Sequence, residues 1–122
     1  MTPAEALALA QDWIAAWNAH DLPRILAHYS EDFEMSSPHI PQLAGEPSGT
    51  LKGKARVGDY WAKALARYPQ LRFELETVLL GVNSLALYYR SSVANRPVVE
   101  ILTLDAAGRI IRGHAHNSIG PA

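Results

Sequence analysis

Apolar residues recur every three to four positions in some stretches of this chain and every second position in others, and the contrast predicts its elements. Leu9, Trp13 and Trp17 fall four apart, with Leu7, Ala10 and Ile14 widening the stripe and Gln11, Asp12 and Asn18 lying off it. That is the period of an amphipathic helix. Thr2-Pro3-Ala4-Glu5 supplies its start, with a hydroxyl cap, a proline at the first helical position and a glutamate three residues after the cap. Asn18-Ala19-His20-Asp21 ends it, and Asp21 caps a short second helix over 22–29 that turns Leu22, Ile25, Leu26 and Tyr29 inward. His20 and His28 are expected at the surface. A third helix is predicted over 54–68, with Val57, Tyr60, Trp61, Ala64, Leu65 and Tyr68 on its apolar side and Pro69 as its stop.

Period-two alternation marks the strands. Over 31–37, Phe33, Met35 and Ser37 share one face; over 71–82, Phe73, Leu75, Thr77 and Leu79 do. The last third, 85–116, reads as three antiparallel strands separated by Asn95-Arg96-Pro97 and Asp105-Ala106-Ala107-Gly108 turn signals. Residues 38–50 have no period. Pro38, Pro41, Gly45, Pro47 and Gly49 make them a long connection, read as a flap near a pocket mouth with room for a short strand. His39 on it is expected to be exposed. Helices segregated from a sheet place the chain in the α+β class.

Composition narrows the function classes. The 122 residues form one domain, 1–122, and the 48% hydrophobic content is that of a globular chain with a proper core. A net charge of −1 favours neither nucleic acid nor an anionic membrane as partner. With no cysteine there is no disulfide and no thiolate chemistry. No apolar run reaches transmembrane length, and the N-terminus lacks the pattern of a signal peptide, so a cytoplasmic location is expected.

Several short motifs in order carry a resemblance. Trp17-Asn18-Ala19-His20-Asp21 closes the first helix, Tyr29-Ser30-Glu31-Asp32-Phe33 precedes the first strand, and Leu51-Lys52-Gly53-Lys54 opens the third helix. Tyr88-Tyr89-Arg90 lies in the sheet, and the run from Asp105 to Ile110 makes the last turn. Together they resemble the NTF2-like superfamily, in particular its SnoaL-like members, over nearly the whole chain. The resemblance implies a cystatin-like, cone-shaped α+β barrel, with a curved antiparallel sheet wrapped around the N-terminal helices and a pocket between them. It does not settle function, because the family includes isomerases, cyclases, dehydratases, epoxide hydrolases, transport factors and ligand-binding domains. The ketosteroid isomerases of the family use a first-strand aspartate; here that strand offers Ser36 and Ser37, which speaks against that activity. The cyclases combine an acid with histidines on later strands, to which Glu100 with His114 or His116 is a looser match.

Register arguments supply the site. A type I turn with a left-handed Gly108 pairs Asp105 with Arg109, and counting back sets Leu102 opposite Arg112, Glu100 opposite His114 and Val98 opposite His116. Glu100, Arg112, His114 and His116 then share the concave face. An odd-length loop before the preceding strand is preferred, because it adds Tyr88 and Arg90 to the same wall. A carboxylate beside an imidazole is an acid–base pair, and Tyr88 is a hydrogen-bond donor for a carbonyl or enolate. Glu100, His114, His116 and Tyr88 are therefore the candidate catalytic residues. Trp17, Tyr29, Met35, Tyr60, Trp61, Arg90 and Leu102 are the candidate ligand contacts. The same Glu–His–Arg set also reads as a network that only fixes strand register. His114-x-His116 with Glu100 has the composition of a two-histidine, one-carboxylate metal site, but that spacing is common by chance, so neither metal nor cofactor is expected.

The expected ligand is a small, largely apolar organic molecule, with acid–base isomerase, cyclase or lyase chemistry as one reading. A non-catalytic ligand-binding or dimerising accessory domain is the other. A homodimer through the sheet is expected from the second face, where Val99, Ile101, Ile111 and Ala115 are left without a covering helix.

Overall fold

Thr2 caps the first helix reciprocally: the Glu5 amide donates to Thr2 Oγ1 and the Thr2 amide to Glu5 Oε1, both at 3.1 Å. In the computed structural model, which describes residues 1–120, this helix is α1, Pro3–Asn18. Its buried stripe is Ala6, Ala10, Trp13, Ile14 and Trp17, while Leu7 turns to solvent. The alanines bring the helix close to the sheet, so the stripe lies to one side of the leucines. Asp21 caps α2, Leu22–Leu26, by accepting from the Arg24 amide. The Asp12 carboxylate ties α1 to α2 and the residues just beyond it, holding the Arg24 guanidinium and, at 2.7 Å, His28 Nε2.

The remaining elements are β1 (Tyr29–Ser36), α3 (Ile40–Ala44), β2 (Thr50–Lys52), α4 (Lys54–Arg67), β3 (Phe73–Leu80), β4 (Ser84–Ser91), β5 (Arg96–Leu104) and β6 (Ile110–Asn117). The class is α+β, as the sequence predicts. The strands form one sheet in the order β2-β1-β6-β5-β4-β3. All neighbours are antiparallel except β1 and β6, which run parallel. Tyr29 begins β1 instead of ending α2. The stretch read as a flap with room for a short strand leads into such a strand, β2, which pairs Leu51 with Met35, and also contains a helix that the pattern does not predict, α3, closed by a left-handed Gly45.

Two clamps join helix to sheet. Asn18 accepts from the Phe73 amide at 2.7 Å and donates to the Phe73 carbonyl at 2.9 Å. His20 Nε2 lies 2.8 Å from the Leu71 carbonyl, to which it donates, so this histidine is a structural fastener and not a free surface residue.

The sheet departs from simple alternation at three places, where register slips between paired strands. In β3 the slip at Glu76 moves Val78 to the face opposite the expected one, pairing it with Leu87 and leaving Leu79 exposed. In β6 it is decisive. The turn is as predicted: the Asp105 amide donates to the Arg109 carbonyl, the Gly108 amide to the Asp105 carbonyl, and Gly108 has φ +81°. Leu104 then pairs with Ile110, but Thr103 pairs with Arg112, so Ile111 is an extra residue. Beyond this bulge Leu102 faces Gly113, Ile101 faces His114 and Glu100 faces Ala115. The predicted Glu100–His114 pairing is thus overturned, and the two side chains stand on opposite faces. Ala115, expected on the outer face, lies on the inner one.

The core is aromatic. Trp13 stacks on Phe73 with centroids 5.9 Å apart, and Trp17 meets Trp61 edge-on at 5.3 Å. Tyr29 is wholly buried, and its hydroxyl accepts from Trp13 Nε1 at 2.9 Å. Tyr29→Phe should leave that indole N–H without a partner and cost about 1–3 kcal/mol. Urea unfolding monitored by tryptophan fluorescence checks this, and an unchanged midpoint would remove the bond from the account of stability.

Candidate functional site

Burial on β5 alternates, so Val98, Glu100, Leu102 and Leu104 face the helices. Of these, Val98 and Glu100 line a cavity of about 100 Å³ between the sheet, α1 and α4. That is room for several waters or a small organic fragment. Its wall is rich in aromatic rings, among them Trp13 and Trp17 on α1, Tyr60 and Trp61 on α4, and Phe73 and Tyr89 on the sheet.

Glu100 is the one carboxyl in this wall, and only 4% of its surface is exposed. Tyr89 donates its hydroxyl to Glu100 Oε1 at 3.2 Å, while Oε2 is buried without a partner. Burial pushes the acid up to about 8, against a smaller opposing effect of the Tyr89 hydrogen bond. At neutral pH the group is mainly the protonated acid, an O–H donor. Burial, reinforced by the nearby Glu100, holds the Tyr29 and Tyr89 phenols above their ordinary range, so both stay protonated. Trp17 also lines the cavity, and its buried Nε1–H has no partner. Two unpaired polar groups therefore belong to one apolar space. Gly113 makes room there: a Cβ at this position would lie 3.0 Å from Met35 Sδ and 4.0 Å from Glu100 Oε2.

The mouth is built from the end of β1, the start of the connection after it, and the end of β6. Ser37 Oγ accepts from the Tyr60 hydroxyl at 3.4 Å and from the His39 amide at 3.2 Å. Asn117 Nδ2 donates to His39 Nε2 at 3.0 Å. Burial, then the charge of Arg96, lowers the proton affinity of His39. It accepts from Asn117 as a neutral ring whose proton sits on Nδ1.

Of the residues predicted from sequence, Glu100, Trp17, Met35, Tyr60 and Trp61 come together around this cavity. Tyr29 and Leu102 are fully buried core residues that do not line it. His114 and His116 are corrected to the outer face of β6, where they border a shallow surface groove with Ser36 and Thr50. Tyr88 and Arg90 are likewise outside. Four residues, 92–95, separate β4 from β5, an even number, so Glu100 faces Leu87 and shares its side of the sheet with Tyr89. Arg90 Nε lies 3.8 Å from Glu76 Oε1, and its Nη1 donates to the Asn95 carbonyl. The two-histidine, one-carboxylate set is therefore split between faces, and no group of three metal-ligating residues occurs among the described residues.

Sequence reasoning passed over Tyr89, His39, Ser37 and Asn117. Tyr89 was available from the parity argument had the loop been even. His39 gave no signal, because its burial depends on Asn117, 78 residues away.

With this geometry in place, comparison with known proteins is informative. The family profile described as the SnoaL-like domain matches residues 10–113. A SnoaL-like protein of unknown function from Burkholderia thailandensis is 47% identical, with a TM-score of 0.91 over 96% of this chain and 97% of that one. A candidate isomerase of the SnoaL-like family from Agrobacterium tumefaciens is 20% identical, with a TM-score of 0.75 over 94% and 98% of the two chains. A protein of unknown function with a cystatin-like fold from Methylobium petroleophilum is 16% identical, with a TM-score of 0.77 over 100% of this chain and 81% of that one. The last two are likenesses of fold alone. No protein of curated function matches the chain. No helix among the described residues is long and apolar enough to cross a membrane.

The buried acid has a consequence for stability. The folded value, about 8, lies above the ordinary value of 4.5, so folding favours the protonated form. With respect to this group stability is highest below pH 4.5, falls between 4.5 and about 8 by an amount on the order of 5 kcal/mol, and levels off above that. Glu100→Gln should flatten that slope. Denaturant melts of both proteins between pH 5 and pH 9 measure it, and parallel curves would mean that Glu100 is not held protonated.

Proposed function

This chain belongs to the SnoaL-like domain family, and from that premise we propose that it binds a small, largely apolar organic molecule carrying a carbonyl or hydroxyl oxygen, on which Glu100 acts as a general acid. One observation carries the reading: a buried carboxyl with a single hydrogen bond and a free Oε2, set in an aromatic cavity. An empty apolar cavity needs no acid. Burying one costs free energy that a core side chain of similar size would not, so its presence there points to a ligand.

The chemistry follows from the protonation state. The Glu100 O–H and the Trp17 N–H are both donors, and both residues line the one cavity. Glu100 would pass its proton to a carbonyl oxygen while a water molecule takes the neighbouring α-hydrogen, giving the enol and a Glu100 carboxylate that is then reprotonated, the first step of an enolising isomerisation or lyase reaction. Tyr89 orients the acid through Oε1. A second reading, ligand binding without turnover, is favoured by a different observation. Among the described residues Glu100 has only Tyr89 as a hydrogen-bond partner, and the other ionisable residues of the wall, Tyr60, Tyr68 and His39, make no hydrogen bond to it that would relay a proton.

The simple ketone 2-heptanone separates these readings. Its affinity, followed by tryptophan fluorescence, should be level below pH 7 and fall by about tenfold per pH unit above pH 8, where Glu100 ionises. Glu100→Gln, which keeps a donor, should remove the pH dependence. Exchange of the ketone's α-hydrogens into deuterated water, accelerated by wild type and not by Glu100→Gln, supports catalysis. Binding without exchange supports the second reading, and absence of pH-dependent binding eliminates both roles for Glu100.

A further inference from the structure

Two spaces meet at the His39–Asn117 pair. Inside lies the cavity above Glu100; outside lies a wide, open basin of about 810 Å³ bordered by Pro38, Asn95, Arg96, Pro97 and Ser118. Both spaces are lined by His39 and Asn117. On β5, Arg96, Val98 and Glu100 alternate onto the same face, so one strand runs from the basin to the cavity floor. Four strand steps separate Arg96 from Glu100, a distance of about 13 Å between Cα atoms. On β6 the parallel series is Gly113, Ala115 and Asn117, small residues inside and a polar one at the mouth.

We propose that Arg96 receives the carboxylate of the ligand, whose apolar body passes the His39–Asn117 pair into the cavity and whose oxygen-bearing far end reaches Glu100. The substrate class is thus an organic acid with an apolar chain and a carbonyl or hydroxyl at the opposite end. The inference deepens the reading of Glu100 as the polar anchor and rests on it for the far end only.

Charge supports it. The basin has no aspartate or glutamate in its wall, and Arg96 makes no ion pair among the described residues. Arg90, on the other face, has Glu76 beside it. Arg96 is half-buried, and its field already reaches the mouth, where it contributes to lowering the proton affinity of His39. The floor is compatible as well. An ionised Glu100 would repel an anionic ligand through a low-dielectric cavity, whereas the protonated acid does not. Arg96 borders the basin, and a guanidinium matches a carboxylate in shape and charge.

Three probes test this: 7-oxooctanoate, its neutral amide 7-oxooctanamide, and octanoate, each titrated calorimetrically at pH 7 into wild type, Arg96→Gln and Arg96→Lys. Wild type should bind 7-oxooctanoate about tenfold more tightly than the amide, the effect of one charge-assisted hydrogen-bonded pair. Arg96→Gln should bring that ratio to about one, and Arg96→Lys should keep part of it. Equal affinities for acid and amide in wild type, no binding of either, or a ratio that survives Arg96→Gln would overturn the anion site. The Glu100 reading is judged separately: octanoate binding as well as 7-oxooctanoate sinks the polar anchor while leaving the Arg96 ratio intact. Circular dichroism and melting of the variants confirm that the fold is unchanged, as expected for a half-exposed side chain.

Discussion

Between Leu104 and Thr103 strand β5 advances one residue, while β6 advances two, from Ile110 to Arg112. Everything on β6 beyond that point is set by the mismatch. Side chains on a strand alternate with period two, so one surplus residue exchanges the faces of every later one. Gly113, Ala115 and Asn117 come to the inner side, and Arg112, His114 and His116 go to the outer side. The exchange suits the space. Gly113 sits where any side chain would crowd Met35, with Glu100 Oε2 close by. A histidine on that side of the strand would fill the volume that the cavity now occupies.

With the imidazoles gone from the floor, Glu100 has no cationic partner among the described residues. Its electrostatics are therefore those of desolvation, tempered only by the Tyr89 hydroxyl. A carboxyl paired with a histidine would be an ionised base; a carboxyl alone among aromatics is a protonated acid. The register thus decides the sign of the chemistry available. The same isolation leaves Oε2 free, and with the unpaired Trp17 N–H it gives an otherwise apolar cavity its polar groups.

The cavity keeps its shape because several of its wall residues are fastened to neighbouring elements. Asn18 and His20 fasten the end of α1 to the backbone at Leu71 and Phe73. The Trp13–Tyr29 hydrogen bond and the packing of Trp13 on Phe73 and Tyr89 fix α1 against the sheet from below. Asp12 fastens α2. These restraints hold the helices and the sheet in place around the cavity.

Local signals in the sequence determined α1, α4, the start of α2, the capping box at Thr2, the Asp21 cap, the Asp105–Gly108 turn and the α+β class, because each depends on residues within a few positions of one another. The inward faces of β1 and β5 were legible too, and with them Glu100, Met35, Trp17, Tyr60 and Trp61. What only the tertiary structure decided was relative register. The bulge at Ile111 and the even loop at residues 92–95 are set by how β6 and β5 fit their neighbours, including the parallel pairing of β6 with β1. No nearest-neighbour signal encodes them. They moved His114, His116, Tyr88 and Arg90 out of the site and brought Tyr89, Asn117 and His39 in. A parity of one residue carries no local energy, yet in a sheet with one face on the core it is fixed by the packing of the whole wall.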